Sequence, residues 1–197
     1  MNNCDKILKL LEKNNGYVTT KEVKKNNIPN IYLTMMVNKN IIDRCSRGLY
    51  SSKSILVDNY YSTIKKSKNA VFSHATALYL HNLSDRTPLN YDITVPSGYN
   101  GSLQKDNNIN LFYIKKDLLE LGLVNVNSPF GMKIRVYDAE RTICDIIKNK
   151  NRIDKEILSK ALKSYSSLKE KDLNKLFKYA DRMNIRKKVM EYMEVLL

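Results

Sequence analysis

Along the first fifty positions, apolar residues recur three and four apart and then switch to alternation. Ile7, Leu8, Leu10 and Leu11 share one face of residues 3–14, with Lys6, Lys9, Glu12 and Lys13 around the rest, which predicts an amphipathic helix. Asn14-Asn15-Gly16 ends it, and Thr19 or Thr20 supplies the side-chain oxygen that caps a second, short helix through Val23 to Asn26 or Asn27. Asn27-Ile28-Pro29-Asn30 reads as a turn, with Pro29 suited to the first turn of a third helix that runs to about Lys39. Ile41 to Arg44 and Gly48 to Ser51 then pair as the two strands of a short hairpin. Three short helices followed by a hairpin is the order of a winged helix-turn-helix, assigned to residues 1–55. Gly48 gives its hairpin turn the backbone freedom that the tight reversal needs.

The pattern changes after residue 55. Asp58 to Lys66 predicts a connecting helix, and Ser73 caps another from His74 to Leu83. Strand-like runs follow at 91–96, 110–114, 124–126 and 132–137, and Asp138 caps the helix AERTICDIIK. Three further helices are predicted over 154–166, 170–183 and 185–196. The expected fold class is therefore α+β: an N-terminal winged helix-turn-helix, then a mixed α/β domain over 56–197 that ends in a basic helical tail.

Charge changes what these elements are for. The chain carries a net charge of +14. Residues 1–55 contribute +6 and residues 148–197 contribute +7, whereas the ninety-two residues between them contribute +1. Two basic ends around a near-neutral middle fit a protein that binds a polyanion. Cys4, Cys45 and Cys144 are odd in number and lack C-x-x-C spacing, so neither a disulfide framework nor a thiolate zinc site is expected. No apolar run approaches the roughly 18–20 residues of a transmembrane helix, and the N-terminus lacks the apolar block of a signal peptide, so no membrane association and a cytoplasmic location are expected.

Phasing the third helix with Leu33, Met36 and Val37 inward makes one apolar arc and avoids burying Asn38 without a partner. The outer face then presents Ile31, Thr34, Met35 and Asn38, flanked by Asn30, Tyr32 and Lys39. Asn38 suits an adenine edge, Met35 and Ile31 suit thymine methyls, and Tyr32, Thr34 and Lys39 suit phosphates. Arg44 and Arg47 in the hairpin are candidates for phosphate or minor-groove contacts. In the tail, Lys171, Lys175, Lys178 and Arg182 recur at helical spacing, with Lys160 and Lys163 in the preceding helix, as a candidate second phosphate-contacting surface. The competing reading is a solvated lysine-rich face.

An enzyme finds less support. His74 and His81 lie about 10.5 Å apart along a helix and cannot share a metal ion. No phosphate-binding loop, G-x-S-x-G or H-E-x-x-H occurs. A nuclease would draw on Asp92, Asp138 and Glu140, but the lysine expected two residues on is missing. Asp138, Glu140, Arg141 and Asp145 instead predict a buried structural network, with Arg141 and Asp145 paired across one helical turn. Neither catalytic residues, a cofactor nor a metal is expected. The remaining alternatives are a nuclease-like or nucleotide-processing enzyme targeted by a winged helix, and an interaction module for an acidic protein.

RGLYS at the end of the hairpin, VFSHATALYLHNLSDRTP, YDITVPSGY and YDAERTICDII with its helical tail together resemble the AbiEi antitoxins of bacterial type IV toxin–antitoxin, or abortive-infection, systems. These segments follow the family's order over nearly the whole chain. The resemblance implies a non-enzymatic autorepressor that binds inverted repeats in its own promoter, two copies cooperatively, from a monomer or weak dimer in solution. It also implies a C-terminal domain that counteracts a nucleotidyltransferase-like toxin, giving phage resistance, without a stable toxin complex.

Overall fold

Asn2 and Asp5 form a reciprocal capping box that starts helix α1 (Asn3–Lys13), whose inner face buries Ile7 and Leu11. The structure, a computed structural model, describes residues 2–196, and it divides into two compact units. The first runs to Lys66 and includes Asn127–Met132; the second takes Ser67–Val126 and everything from Lys133 on.

In the first unit, α1 leads to strand β1 (Tyr17–Thr19) and helix α2 (Thr20–Lys25). Thr19, rather than Thr20, is the cap: its hydroxyl accepts the Glu22 N–H at 3.2 Å, and the Glu22 carboxylate accepts the Thr19 N–H at 2.7 Å. Helix α3 (Ile31–Asn38) follows the Asn27–Asn30 turn, and then come β2 (Ile42–Ser46) and β3 (Leu49–Ser52). The three strands form an antiparallel sheet in the order β1-β3-β2. Ile7, Leu33, Met36 and Ile42 meet in the core between helices and sheet, each at most 1% exposed. A fully buried side chain of this size contributes about 2 kcal/mol of transfer free energy.

The boundary lies later than residue 55 because helix α4 (Asn59–Ile64) is fastened to this unit. Asp58, only 1% exposed, caps α4 by accepting the Tyr61 N–H. Its backbone N–H donates to the Tyr17 hydroxyl, and its second carboxylate oxygen accepts the Ser128 hydroxyl.

The second unit contains a mixed five-stranded sheet in the order β6-β5-β4-β8-β7. Its strands are β4 (Val71–Phe72), β5 (Tyr91–Pro96), β6 (Ile109–Ile114), β7 (Leu123–Asn127) and β8 (Lys133–Tyr137). β5 runs parallel to β6, and β4 runs antiparallel to β5 but parallel to β8. Helix α5 (His74–Leu80) packs on β5, and α6 (Ala139–Lys148) is surrounded by α5, α7 (Lys155–Ser166), α8 (Leu173–Arg182) and α9 (Arg186–Leu196). Every residue of α6 from Glu140 to Ile147 is buried, so its polar side chains must find partners inside the protein. The chain is thus α+β with a mixed sheet and a helical C-terminal tail. No helix among the described residues is long and apolar enough to cross a membrane. All three cysteines are free thiols.

Candidate nucleic-acid interface

Helix α3 is apolar for most of its length, yet only Leu33 and Met36 are fully buried, with Val37 packed beside them. Ile31 is 67% exposed, and Asn30, Thr34, Asn38 and Lys39 also face solvent. Asn30 stands at the N-cap without a side-chain capping bond, so its amide group points outward uncommitted. Two of the expected contact residues sit differently. Tyr32 and Met35 are half-buried, and the Tyr32 ring packs against the core, because a helix lying in a cleft between sheet and helices covers the flanks of its outer face.

The hairpin beside this helix is short and irregular. Arg44 pairs with Tyr50 and Ser46 with Leu49, with a bulge between Arg44 and Ser46. Arg44 and Arg47 are exposed, and among the described residues neither guanidinium has a hydrogen-bond or acidic partner. Gly48 adopts φ +80°, which closes the turn. Lys53, by contrast, is engaged: its ammonium donates to the Asn40 side chain and lies 3.7 Å from the Asp43 carboxylate. Uncommitted cations and amides on one helix and its adjoining hairpin are what a phosphate backbone and base edges require.

The basic residues of the second unit behave differently. Lys175 does not join an open stripe; its ammonium bridges the Asp138 and Glu140 carboxylates at 3.0 and 3.1 Å. Burial works against its charge, but those two carboxylates win and hold its pKa above the ordinary lysine value. Lys171 donates to the Leu168 carbonyl, and Lys160 pairs with Glu156 at 3.0 Å. The expected surface is therefore interrupted by local partners, and of its six residues Lys163, Lys178 and Arg182 remain exposed and unpaired among the described residues.

Asp138, Glu140, Arg141 and Asp145 do come together, and the network is wider than the sequence indicates. The Arg141 Nε donates to Asp145 at 3.2 Å, and its Nη1 donates to the Leu118 and Leu121 carbonyls. Its guanidinium also stacks on the Tyr137 ring at 4.1 Å. Asp138 accepts the Arg141 N–H and the Tyr179 hydroxyl, and Glu140 accepts the Tyr165 hydroxyl and the Asp172 N–H. Burial pushes Asp145 above the usual carboxylate range against the pull of Arg141. Gly122, at φ +73°, lets the chain pass so close that an added Cβ would lie 2.6 Å from that of Arg141. No sequence signal marks Tyr137, Tyr165, Tyr179 or Lys175 as members, since their partners sit on other elements.

The acids and histidines that a catalytic reading would use are likewise engaged. Asp92 accepts the Ala75 N–H and the Asn110 amide, each at 2.9 Å, and burial raises its pKa. His74, 1% exposed, stacks on Phe112 and bonds Ser73 and Asn149; burial, then Arg152 and Arg141, drive its pKa well below the normal histidine value. The His81 ring bonds the Tyr137 carbonyl oxygen. Among the described residues, no group of three or more His, Cys, Asp or Glu could hold a metal ion.

Residues 5–53, which run from within α1 through β3, match the sequence profile of the family described as "Transcriptional regulator, AbiEi antitoxin". The fold is similar to the crystal structure of the Rv2827c protein from Mycobacterium tuberculosis, with a TM-score of 0.52 at 11% identity, over 94% of this chain and 81% of that one. No curated protein matches the chain in sequence.

Proposed function

We propose that this chain is a non-enzymatic, DNA-binding autorepressor and antitoxin of a bacterial type IV toxin–antitoxin system that confers phage resistance through abortive infection. The observation that carries this reading is a coincidence of position. The family match on residues 5–53 falls on the segment whose α3 outer face and hairpin hold uncommitted amides and guanidinium groups. In this reading the first unit works as a winged helix-turn-helix. Asn30 and Asn38 approach the major groove, exposed Ile31 touches a thymine methyl with half-buried Met35 at the edge of that contact, and Thr34, Lys39, Arg44 and Arg47 hold the backbone. Two copies, monomers or weak dimers in solution, bind inverted repeats in the chain's own promoter cooperatively. The second unit counteracts a nucleotidyltransferase-like toxin in the cytoplasm without forming a stable complex. The engagement of Asp92 and Asp138 in internal hydrogen bonds supports a second unit without a catalytic acid pair.

A gel-shift titration of the full chain on its own upstream DNA tests this proposal. Wild type should bind in two steps and prefer that DNA over random sequence. The Arg44→Ala/Arg47→Ala variant should lose most of the affinity. Asn38→Ala should keep binding but lose about 1–3 kcal/mol of discrimination at one adenine position. Wild type binding both DNAs equally would refute the repressor reading.

A further inference from the structure

A hairpin that reads the minor groove has to carry its arginines past the phosphates that wall the groove. This hairpin carries its backbone only part of that way and leaves the rest to the reach of a side chain. Thr19, the last residue of β1, pairs with Leu49, and Leu49 pairs in turn with Ser46. Only Arg47 and Gly48 extend beyond the level at which the sheet stops. Such a turn overhangs by about one residue's rise, ~3.3 Å, against a minor groove about 7.5 Å deep.

The turn is also tied down. The Thr20 N–H, at the first position of α2, donates to the Gly48 carbonyl at 3.0 Å. A Cβ on Gly48 would lie 3.0 Å from the Thr20 hydroxyl, so the two segments are in close contact. Lys21 follows Thr20 and Arg47 precedes Gly48, so these two exposed cations flank one hydrogen-bonded pair. Arg44 shares a sheet face with Ile42, on the strand against which α3 packs. Like the arginines, Lys21 has no acidic partner among the described residues.

We propose that Lys21, Arg44 and Arg47 form one phosphate clamp that grips the DNA backbone beside the groove read by α3, with neither arginine entering the minor groove. This rests on the DNA-binding reading above and adds Lys21 to it. The clamp supplies affinity and register, while sequence preference stays with α3.

The test is fluorescence anisotropy of the full chain on promoter and random duplexes over a salt series, comparing wild type with Lys21→Gln, Arg44→Gln and Arg47→Gln. All three positions are exposed, and unchanged circular dichroism would establish that the variants fold. Each variant should bind both duplexes about fivefold more weakly, with a salt slope shallower by about 0.9. A promoter duplex carrying 2,6-diaminopurine in place of flanking adenines, which places an amino group in the minor groove, should bind wild type unchanged. If that duplex weakens wild type but not Arg47→Gln, the arginine enters the minor groove and the clamp is overturned. A Lys21→Gln variant with wild-type affinity and slope would also overturn it. If wild type fails to prefer the promoter but the three variants still lose slope on both duplexes, the clamp stands and the repressor reading falls.

Discussion

The two basic ends of the chain carry nearly equal charge and commit different shares of it to internal partners. On α3 and the hairpin, Lys39, Arg44 and Arg47 reach solvent with no acidic partner among the described residues. In the tail, Lys175 lies across two carboxylates that the fold has buried, Lys160 pairs with Glu156, and Arg186 pairs with Asp181. A net charge of +7 in the tail therefore overstates what the tail offers to a polyanion. Counting lysines measures potential, and pairing decides how much of it remains outside the protein.

The largest effect expected is at Arg141, the buried cation of the network that takes up Lys175. Arg141→Met leaves the Asp145 carboxylate buried without its cation, which should cost about 3–5 kcal/mol in urea unfolding. Adding Asp145→Leu should recover much of that loss, because the uncompensated charge goes too. Equal stability of wild type and Arg141→Met would mean that the network holds nothing in place.

Lys175→Met comes next, at about 1–2 kcal/mol, reduced because 36% of its side chain is exposed. DNA affinity should not change, which separates an internal role from an external one. The sign with pH follows from the raised pKa. The folded protein holds this proton more tightly than the unfolded chain, so the stabilisation is complete below the unfolded value of 10.5. It disappears as pH rises through the higher folded value. The stability gap between wild type and Lys175→Met should stay constant from pH 7 to 10 and close above that, as read by denaturant titration.

The smallest effect sharpens the comparison. Lys178→Gln/Arg182→Gln removes two tail cations that have no partner, and it should make the salt slope of DNA binding shallower by about 1.8 while leaving base preference intact. An unchanged slope would confine DNA contact to the first unit.

Legibility in the sequence followed the range of the interactions. The inward phase of α3 was readable because Leu33, Met36 and Val37 make one arc within a single turn, and burial agrees. The Arg141–Asp145 pair was readable for the same reason, being four residues apart on one helix. β1 and β4, three and two residues long, are too short to show alternation and exist only through pairing with distant strands. The role of Lys175 was hidden because Asp138 and Glu140 lie more than thirty positions earlier and meet it only when α8 packs on α6. Helical spacing put Lys175 in a stripe with Lys171 and Lys178, and tertiary packing took it out.

Ser128 gives the first unit an unusual order of assembly. Asp58 carries a buried carboxylate, and one of its partners is supplied by residues 127–132, which the ribosome makes only after the sixty residues of Ser67–Val126. During synthesis the α1-to-β3 segment therefore emerges long before the chain that completes the hydrogen bonding of Asp58. A nascent chain stopped at Lys66 would hold every residue of the proposed DNA-reading surface but lack that hydroxyl. Full stability of the N-terminal unit thus depends on translation having passed well into the second.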